Sequence, residues 1–285
     1  MSAVASASAT KASRHAEVIA ATAEQHRRAV RRDRLVVRSS IVAIGVFALL
    51  FWEYGLGYLV EQRYVSTPSA VLVRLVDGVQ SGQLLRDTRV TFIEAGSGYL
   101  IGVAVGLVGA FFLALSRRAY EVLEPYLIWF YSIPKIALAP LFIMWFGLGY
   151  MPKVLLAALM VFFIVFMNTV AGVHSIDRGM LDVSRVFGAS KLALVVKVMF
   201  PAAAPAIMAG IRITFSRAMV GAILAEFIAS TQGLGFMIVR GARQFDIATV
   251  FAGIVVVAVL VMTVNSGIRW LEGRLLPWSR QEVHG

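Results

Sequence analysis

The chain has 285 residues, no cysteine and a net charge of +11, with 59% hydrophobic and 15% charged residues. Soluble domains sit nearer about 45–50% apolar and about 25% charged, so this composition, with a mean hydropathy of +0.79, argues against a soluble enzyme and excludes disorder over most of the chain. The missing cysteines exclude disulfides, iron–sulfur clusters and thiolate chemistry. The class that fits is an all-α, polytopic membrane protein, because a spanning helix takes about 20 apolar residues.

Residues 1–38 are Ala/Ser-rich and then basic, with Arg27, Arg28, Arg31, Arg32, Arg34 and Arg38 close together. This stretch is too long and polar to be a cleaved signal. It reads as a basic cytoplasmic tail with a surface helix over 16–34, and its charge serves orientation in the membrane rather than nucleic-acid binding. Six apolar stretches follow, at 39–60, 90–115, 122–146, 154–176, 201–228 and 248–270. Runs of this length mean helices, since lipid leaves no partner for an open strand edge. They place a six-helix transmembrane domain at 39–275 and leave 276–285 as a cytoplasmic tail.

The segment 61–90 is too polar to span. Thr67-Pro68-Ser69 reads as a helix start with proline at the first helical position, predicting a short external helix over 69–79. In the second stretch Gly98, Gly102, Gly106 and Ala110 recur every fourth residue, giving one smooth face for close approach of another helix. Pro134 and Pro140 are expected to kink the third stretch. Lys and Arg number 17 in the tails and loops on the N-terminal side of the membrane and 7 in those on the other side. That bias places both termini and the 177–200 loop in the cytoplasm.

No GxxxxGK[ST] occurs, so the chain lacks a P-loop. Gly96-Ser97-Gly98 with Gly102 has the look of a dinucleotide loop, but it lies inside a span with no strand before it. His15, His26, His174 and His284 are scattered without metal-ligand spacing. No Ser/His/Asp set or carboxylate pair stands out. No catalytic residue, cofactor or metal is expected.

Five charges fall inside or at the ends of spans: Glu94, Lys135, Arg212, Arg217 and Glu226. Intramembrane charges face a pathway or a partner. Arg217 lies well inside the fifth stretch, and either attracts an anion such as a sulfonate or carboxylate or pairs internally with Glu94 or Glu226 of either copy. Glu226 lies near the external end and can belong to a gate. Asn168 reads as an interhelical hydrogen-bonder.

The segment 177–201 carries the strongest signal. It reads as helix, glycine break, helix, and then Pro201 opening the fifth span. Asp182 is placed in the first turn, where a helix dipole favours an acid, and Gly188 can take positive φ to reverse the chain. Leu181, Arg185 and Val186 are candidates to meet a cytoplasmic partner. The pattern Asp182-Val183-Ser184, three residues, Gly188, nine residues, Val198-Met199-Phe200-Pro201 resembles the cytoplasmic signature of permease subunits of binding-protein-dependent ABC importers, of the sulfonate, taurine and nitrate type. That family's signature is Glu-Ala-Ala, three residues, Gly, nine residues, Ile-x-Leu-Pro. The Gly-to-Pro spacing of 13 is kept, the acid is shortened to Asp, and both alanines are replaced. Ordered matches continue along 65–275: Pro68-Ser69-Ala70-Val71, Ile133-Pro134 to Pro140-Leu141, Trp145-Phe146-Gly147-Leu148-Gly149, Asn168-Thr169 with Gly172, Ala225-Glu226, Gly233-Leu234-Gly235 and Phe251-Ala252-Gly253-Ile254.

The resemblance implies a type I ABC importer permease fold in a bacterial inner membrane. It implies two copies forming a pore, two ATPase subunits docked on the 177–200 loop and a soluble solute-binding protein outside. Asp182, Val183, Ser184, Arg185, Phe187, Gly188, Ala189 and Pro201 would then carry the coupling to the ATPase. Arg217, Glu226, Arg212, Asn168, Glu94 and Lys135 remain pathway or gate candidates. The rival readings are an ATP-independent secondary transporter or channel, against which no inverted repeat is evident, and a membrane scaffold without transport.

Overall fold

The computed structural model describes residues 36–55, 57, 61, 64–114 and 116–275; the tail helix expected over 16–34 and the tail 276–285 lie outside the described residues. The chain divides into two compact units, Met1–Pro68 and Ser69–Gly285. In the first, helix α1 (Val36–Gly55) is long and apolar enough to cross a membrane. Its large apolar side chains, among them Ile41, Ile44 and Phe47, are exposed, as on a helix solvated by lipid. The last five residues, Phe51–Gly55, widen into a π turn, and the Trp52 indole N–H donates to the Ser66 carbonyl at 2.8 Å.

The second unit takes in α2 (Pro68–Gln80) from Ser69 onward, and this helix agrees with the proline start and the short helix expected over 69–79. Helix α3 (Gln83–Ala114) starts seven residues before the apolar stretch that announced it. Hydropathy marks the thickness of the bilayer, not the end of a helix, and the added turns carry Arg86, Asp87 and Arg89. Helix α4 (Arg117–Ser132) is capped by Ser116, whose side chain accepts from the Ala119 N–H at 3.3 Å.

The third span is broken rather than kinked. After α4 the chain passes through Ile133 and Pro134 into a 3₁₀ turn, Lys135–Leu138, and then α5 (Ala139–Phe146). The two halves meet at 80°. Ile133 is extended (φ −64°, ψ 130°), because the Pro134 ring excludes the helical region from the residue before it. Pro140 acts oppositely: it sits in the first turn of α5, where a missing N–H is harmless.

Helix α6 (Tyr150–His174) packs along α3 on the glycine face. A Cβ at Gly98 would lie 2.7 Å from the Val154 carbonyl, and one at Gly102 would lie 2.6 Å from the Ala158 carbonyl. The small residues therefore let two backbones touch, as their spacing predicts. Short helix α7 (Arg178–Val186) follows, and then α8, Lys191–Ala229. Pro201 stands in the first turn of the α-helical segment Phe200–Ala229, as expected of a residue that opens a span, but the helical run does not begin there. The helix runs through it for 39 residues, with a π turn at Val195–Met199 immediately before the proline. The widened turn relieves the clash of the ring with the preceding carbonyls and absorbs the hydrogen bond proline cannot make. Helices α9 (Leu234–Arg243) and α10 (Ile247–Leu275) complete the unit. The core lies where α3, α6 and α8 meet: Ala95, Ala157, Val161, Val165, Phe215, Ala218, Met219 and Ala222 are buried together. The small residues bring the helices close, and Tyr99 fills the remaining space, edge-on to Phe215 with ring centroids 5.5 Å apart.

Candidate functional site

Two clusters of candidate side chains stand at opposite ends of the second unit. The first is the α7 loop. The Asp177 carboxylate accepts from the Gly179 N–H at 2.7 Å, so Asp177 caps this helix. Asp182 sits in the second turn, not the first, and is exposed. The expectation was a turn out of register because Asp177 immediately precedes the helix and satisfies the same signal. At the far end the Phe187 N–H bonds the Val183 carbonyl at 3.0 Å and the Ala189 N–H bonds the Ser184 carbonyl at 3.1 Å. Between them Gly188 takes φ +79°. This is a six-to-one closure around a left-handed glycine. Ser190 then caps the next helix, its side chain accepting from the Ala193 N–H at 3.2 Å.

The loop is held by Leu181, which packs on a cluster that includes Val173, Leu194, Met199, Ala203 and Ile207. Leu181 thus anchors the helix and is not on its outward face. That face carries Met180, Val183, Val186 and Phe187, the last two 87% exposed. Arg185 belongs to α7, but its side chain lies outside the described residues. Ala189 is half-buried, and Pro201 lies exposed in α8.

The second cluster joins α3, α6 and α8 to the start of α9. Glu226, 1% exposed, accepts through Oε1 from the Thr91 hydroxyl at 2.6 Å and through Oε2 from the Gly235 N–H. Thr91 Oγ1 in turn accepts from the Leu234 N–H at 2.8 Å, and Asp87 Oδ1 accepts from the Gly233 N–H at 2.9 Å. Three consecutive amides at the start of α9 are therefore all bonded by side chains of α3 and α8, two of them to carboxylates at the positive end of a helix dipole. Glycine is required here: a Cβ at Gly233 or Gly235 would run into the Glu226 carboxylate, and Gly233 has φ +106°. Beside this, Lys153 donates to Glu94 Oε1 at 2.7 Å and to the Ser230 hydroxyl at 2.9 Å, with lysine and acid both buried.

The sequence marked Glu94, Glu226 and Gly233-Leu234-Gly235 but not Asp87, Thr91, Lys153 or Ser230. One signal was available: Asp87, Thr91 and Glu94 continue the stripe of Gly98 and Gly102 upward, so polar residues on a packing face had to meet polar partners. The remaining candidates lie apart. Arg212 Nη1 is 3.4 Å from Glu272 Oε2 on α10. The Asn168 amide donates to the Ile164 carbonyl of its own helix at 2.8 Å instead of bridging helices, and its Cβ backs onto Gly210. Lys135 stands at the break in the third span, bonded to the Tyr131 carbonyl, with Nζ 4.5 Å from the Tyr131 ring centroid and 4.9 Å from that of Phe163. Arg217 is exposed and pairs with neither Glu94 nor Glu226 within the chain. Among the described residues no group of acids and histidines could hold a metal ion.

The model of the family "Binding-protein-dependent transport system inner membrane component" matches residues 98–277, from the glycine face of α3 to the end of α10. The chain belongs to this family. The putative aliphatic sulfonates transport permease protein of Bacillus subtilis (strain 168) is 35% identical over 233 residues, which cover 81% of this chain and 84% of that one. The taurine transport system permease protein of Escherichia coli (strain K12) is 30% identical over 252 residues, covering 85% and 90%. Among solved structures, an inward facing conformation of the MetNI methionine ABC transporter superposes with a TM-score of 0.53 at 20% identity, over 73% of this chain and 95% of that chain. A bacterial ABC transporter involved in alginate import gives 0.55 at 18% identity, over 84% and 96%. These last two show the fold. The permease is an all-α membrane subunit of an ABC importer, as the motif in α7 and its flanks implied. The ATP-independent alternative receives no support.

Proposed function

We propose that two copies of the permease form the pathway for a small sulfonate-type solute, handed over by a soluble binding protein outside and driven by two separate ABC ATPase subunits inside. The solute class is taken from the relatives named for aliphatic sulfonates and taurine, both of which are sulfonates. The observation that carries the coupling is the α7 crest. Val183, Val186 and Phe187 stand exposed on a helix that is short, anchored by Leu181 and closed at Gly188. An aromatic and two aliphatic side chains at one tip are what a cleft on a partner protein recognises. Behind the crest, α8 continues as one helix from Lys191 to Ala229, so inward movement of the crest reaches the far side of the membrane as rigid-body motion. ATP closes the ATPase pair, the crests move together and the pathway opens outward; hydrolysis reverses the cycle.

Gly188→Pro cannot adopt φ +79° because the ring holds φ near −65°, and Asp182→Lys inverts an exposed charge on the crest. Both variants are expected in the membrane at normal levels, with uptake and the stimulation of ATP hydrolysis by loaded binding protein falling about tenfold or more. Phe187→Ala removes only exposed surface, so thermal stability holds while the ATPase no longer co-purifies. Normal uptake and co-purification in all three variants would refute the docking site.

A further inference from the structure

Arg217 lies in α8 five residues beyond Arg212, about 7.5 Å of helix rise further from the α7 loop. It makes no hydrogen bond or ion pair with any described residue. The acids that could neutralise it are engaged elsewhere: Glu94 with Lys153, Glu226 with Thr91 and Gly235, and Glu272 with Arg212. Its neighbours define two sides of the helix. Thr214, Phe215, Ala218, Met219 and Ala222 are buried in the core. Ser216 is taken by Asn265 of α10 at 3.3 Å. Ile213, Arg217, Val220 and Ile228 form an exposed stripe.

A guanidinium with no counter-ion inside a span is costly against hydrocarbon. Its stripe is otherwise apolar, so it offers one fixed positive charge and nothing to pair it. Arginine never deprotonates at physiological pH, and its planar fork matches two oxygens of a tetrahedral or planar oxyanion. A single exposed guanidinium on smooth walls holds such a head group briefly and releases it, which suits passage rather than storage. We propose that Arg217 is the anion-recognition site of the solute pathway, taking the sulfonate head of the solute as it crosses, with Ile213 and Val220 as the apolar wall beside it. This rests on the reading of the chain as a pathway-forming permease.

The chain has no cysteine, so the stripe can be probed with one introduced thiol. Val220→Cys places it one turn from Arg217 on the same face. The full transporter in membrane vesicles is treated from either side with the anionic sulfonatoethyl methanethiosulfonate and, separately, with the cationic trimethylammonioethyl reagent. The ratio of the two rates cancels any effect of Arg217 on the thiol itself. The anionic reagent is expected to react about tenfold faster relative to the cationic one. Arg217→Ala should abolish that preference and Arg217→Lys should keep it, and millimolar sodium ethanesulfonate should slow the anionic reagent only while residue 217 is basic. Absence of reaction with either reagent from either side would overturn the proposal, since lipid phosphates or a sealed contact between copies would then cover the stripe. Reaction without dependence on residue 217 would overturn it equally. The permease reading fails on a separate observation, purification of the chain without an ATPase.

Discussion

Thr91 uses one hydroxyl twice, donating to Glu226 and accepting from the Leu234 amide. Valine at this position keeps the volume and removes both bonds, leaving a buried carboxylate oxygen and a buried N–H unpaired. Each such orphan costs about 1–3 kcal/mol, so Thr91→Val should lower the stability of the purified permease by about 2 kcal/mol or more in thermal unfolding. Glu226→Gln is milder, about 1 kcal/mol, because its carbonyl can still accept from Gly235 while its amide turns to Thr91. Amide hydrogen exchange at 233–235 should quicken in Thr91→Val; a protection pattern and melting point equal to the parent chain would show that the cluster does not hold the start of α9. Glu226 and the paired glycines were legible in the sequence as a motif, but their chemistry was not. The partners lie 135 residues away for Thr91 and 146 for Asp87, a separation no local pattern spans. Gly188 was legible for the opposite reason: the need for positive φ where the chain turns from one helix into the next is local.

Among the elements, the α3–α6 contact was the easiest to read and the third and fifth spans the hardest. Four small residues at a spacing of four leave no other purpose for that face, and the structure puts α6 on it. Prolines are ambiguous by comparison. Pro134 breaks its span, Pro140 starts a helix, and Pro201 is carried inside one by a π turn, so the outcome depends on where the preceding turn can give. The contrast between two glycines of α3 tests the reading. A methyl at Gly102 would meet the Ala158 carbonyl, whereas one at Gly96 meets nothing within 4 Å. Gly102→Ala must force two backbones apart, at a cost of about 1–3 kcal/mol. Gly96→Ala should be neutral or stabilising, since alanine is the better helix former. Melting points of the two variants that match would mean the helices are not in backbone contact.

For the whole molecule, the apolar composition places it in a membrane and the charge count predicts which end faces inward. Lys153 was one of the seven basic residues assigned to the outer side, yet it is buried against Glu94 and bonded to Ser230. Pairing with Glu94 leaves that count unchanged, because orientation follows Lys and Arg irrespective of acidic neighbours, and the bias of 17 to 7 still predicts a cytoplasmic α7 loop. We expect the polar cluster at the outer end and the α7 crest at the inner end of the same helix α8, the orientation that the charge bias predicts. Two exposed positions mark those ends, Ser190 before α8 and Thr231 after it. In the cysteine-free chain, Ser190→Cys is expected to react with a membrane-impermeant maleimide only in inverted vesicles, and Thr231→Cys only in intact cells with a permeable outer envelope. Neither residue bonds to the cluster that holds α9, and Ser190 gives up only its cap on the Ala193 N–H, so the label reports side and not unfolding of that cluster. The reverse pattern would place the crest outside, beyond the reach of any ATPase, and both the orientation and the coupling site would fall together.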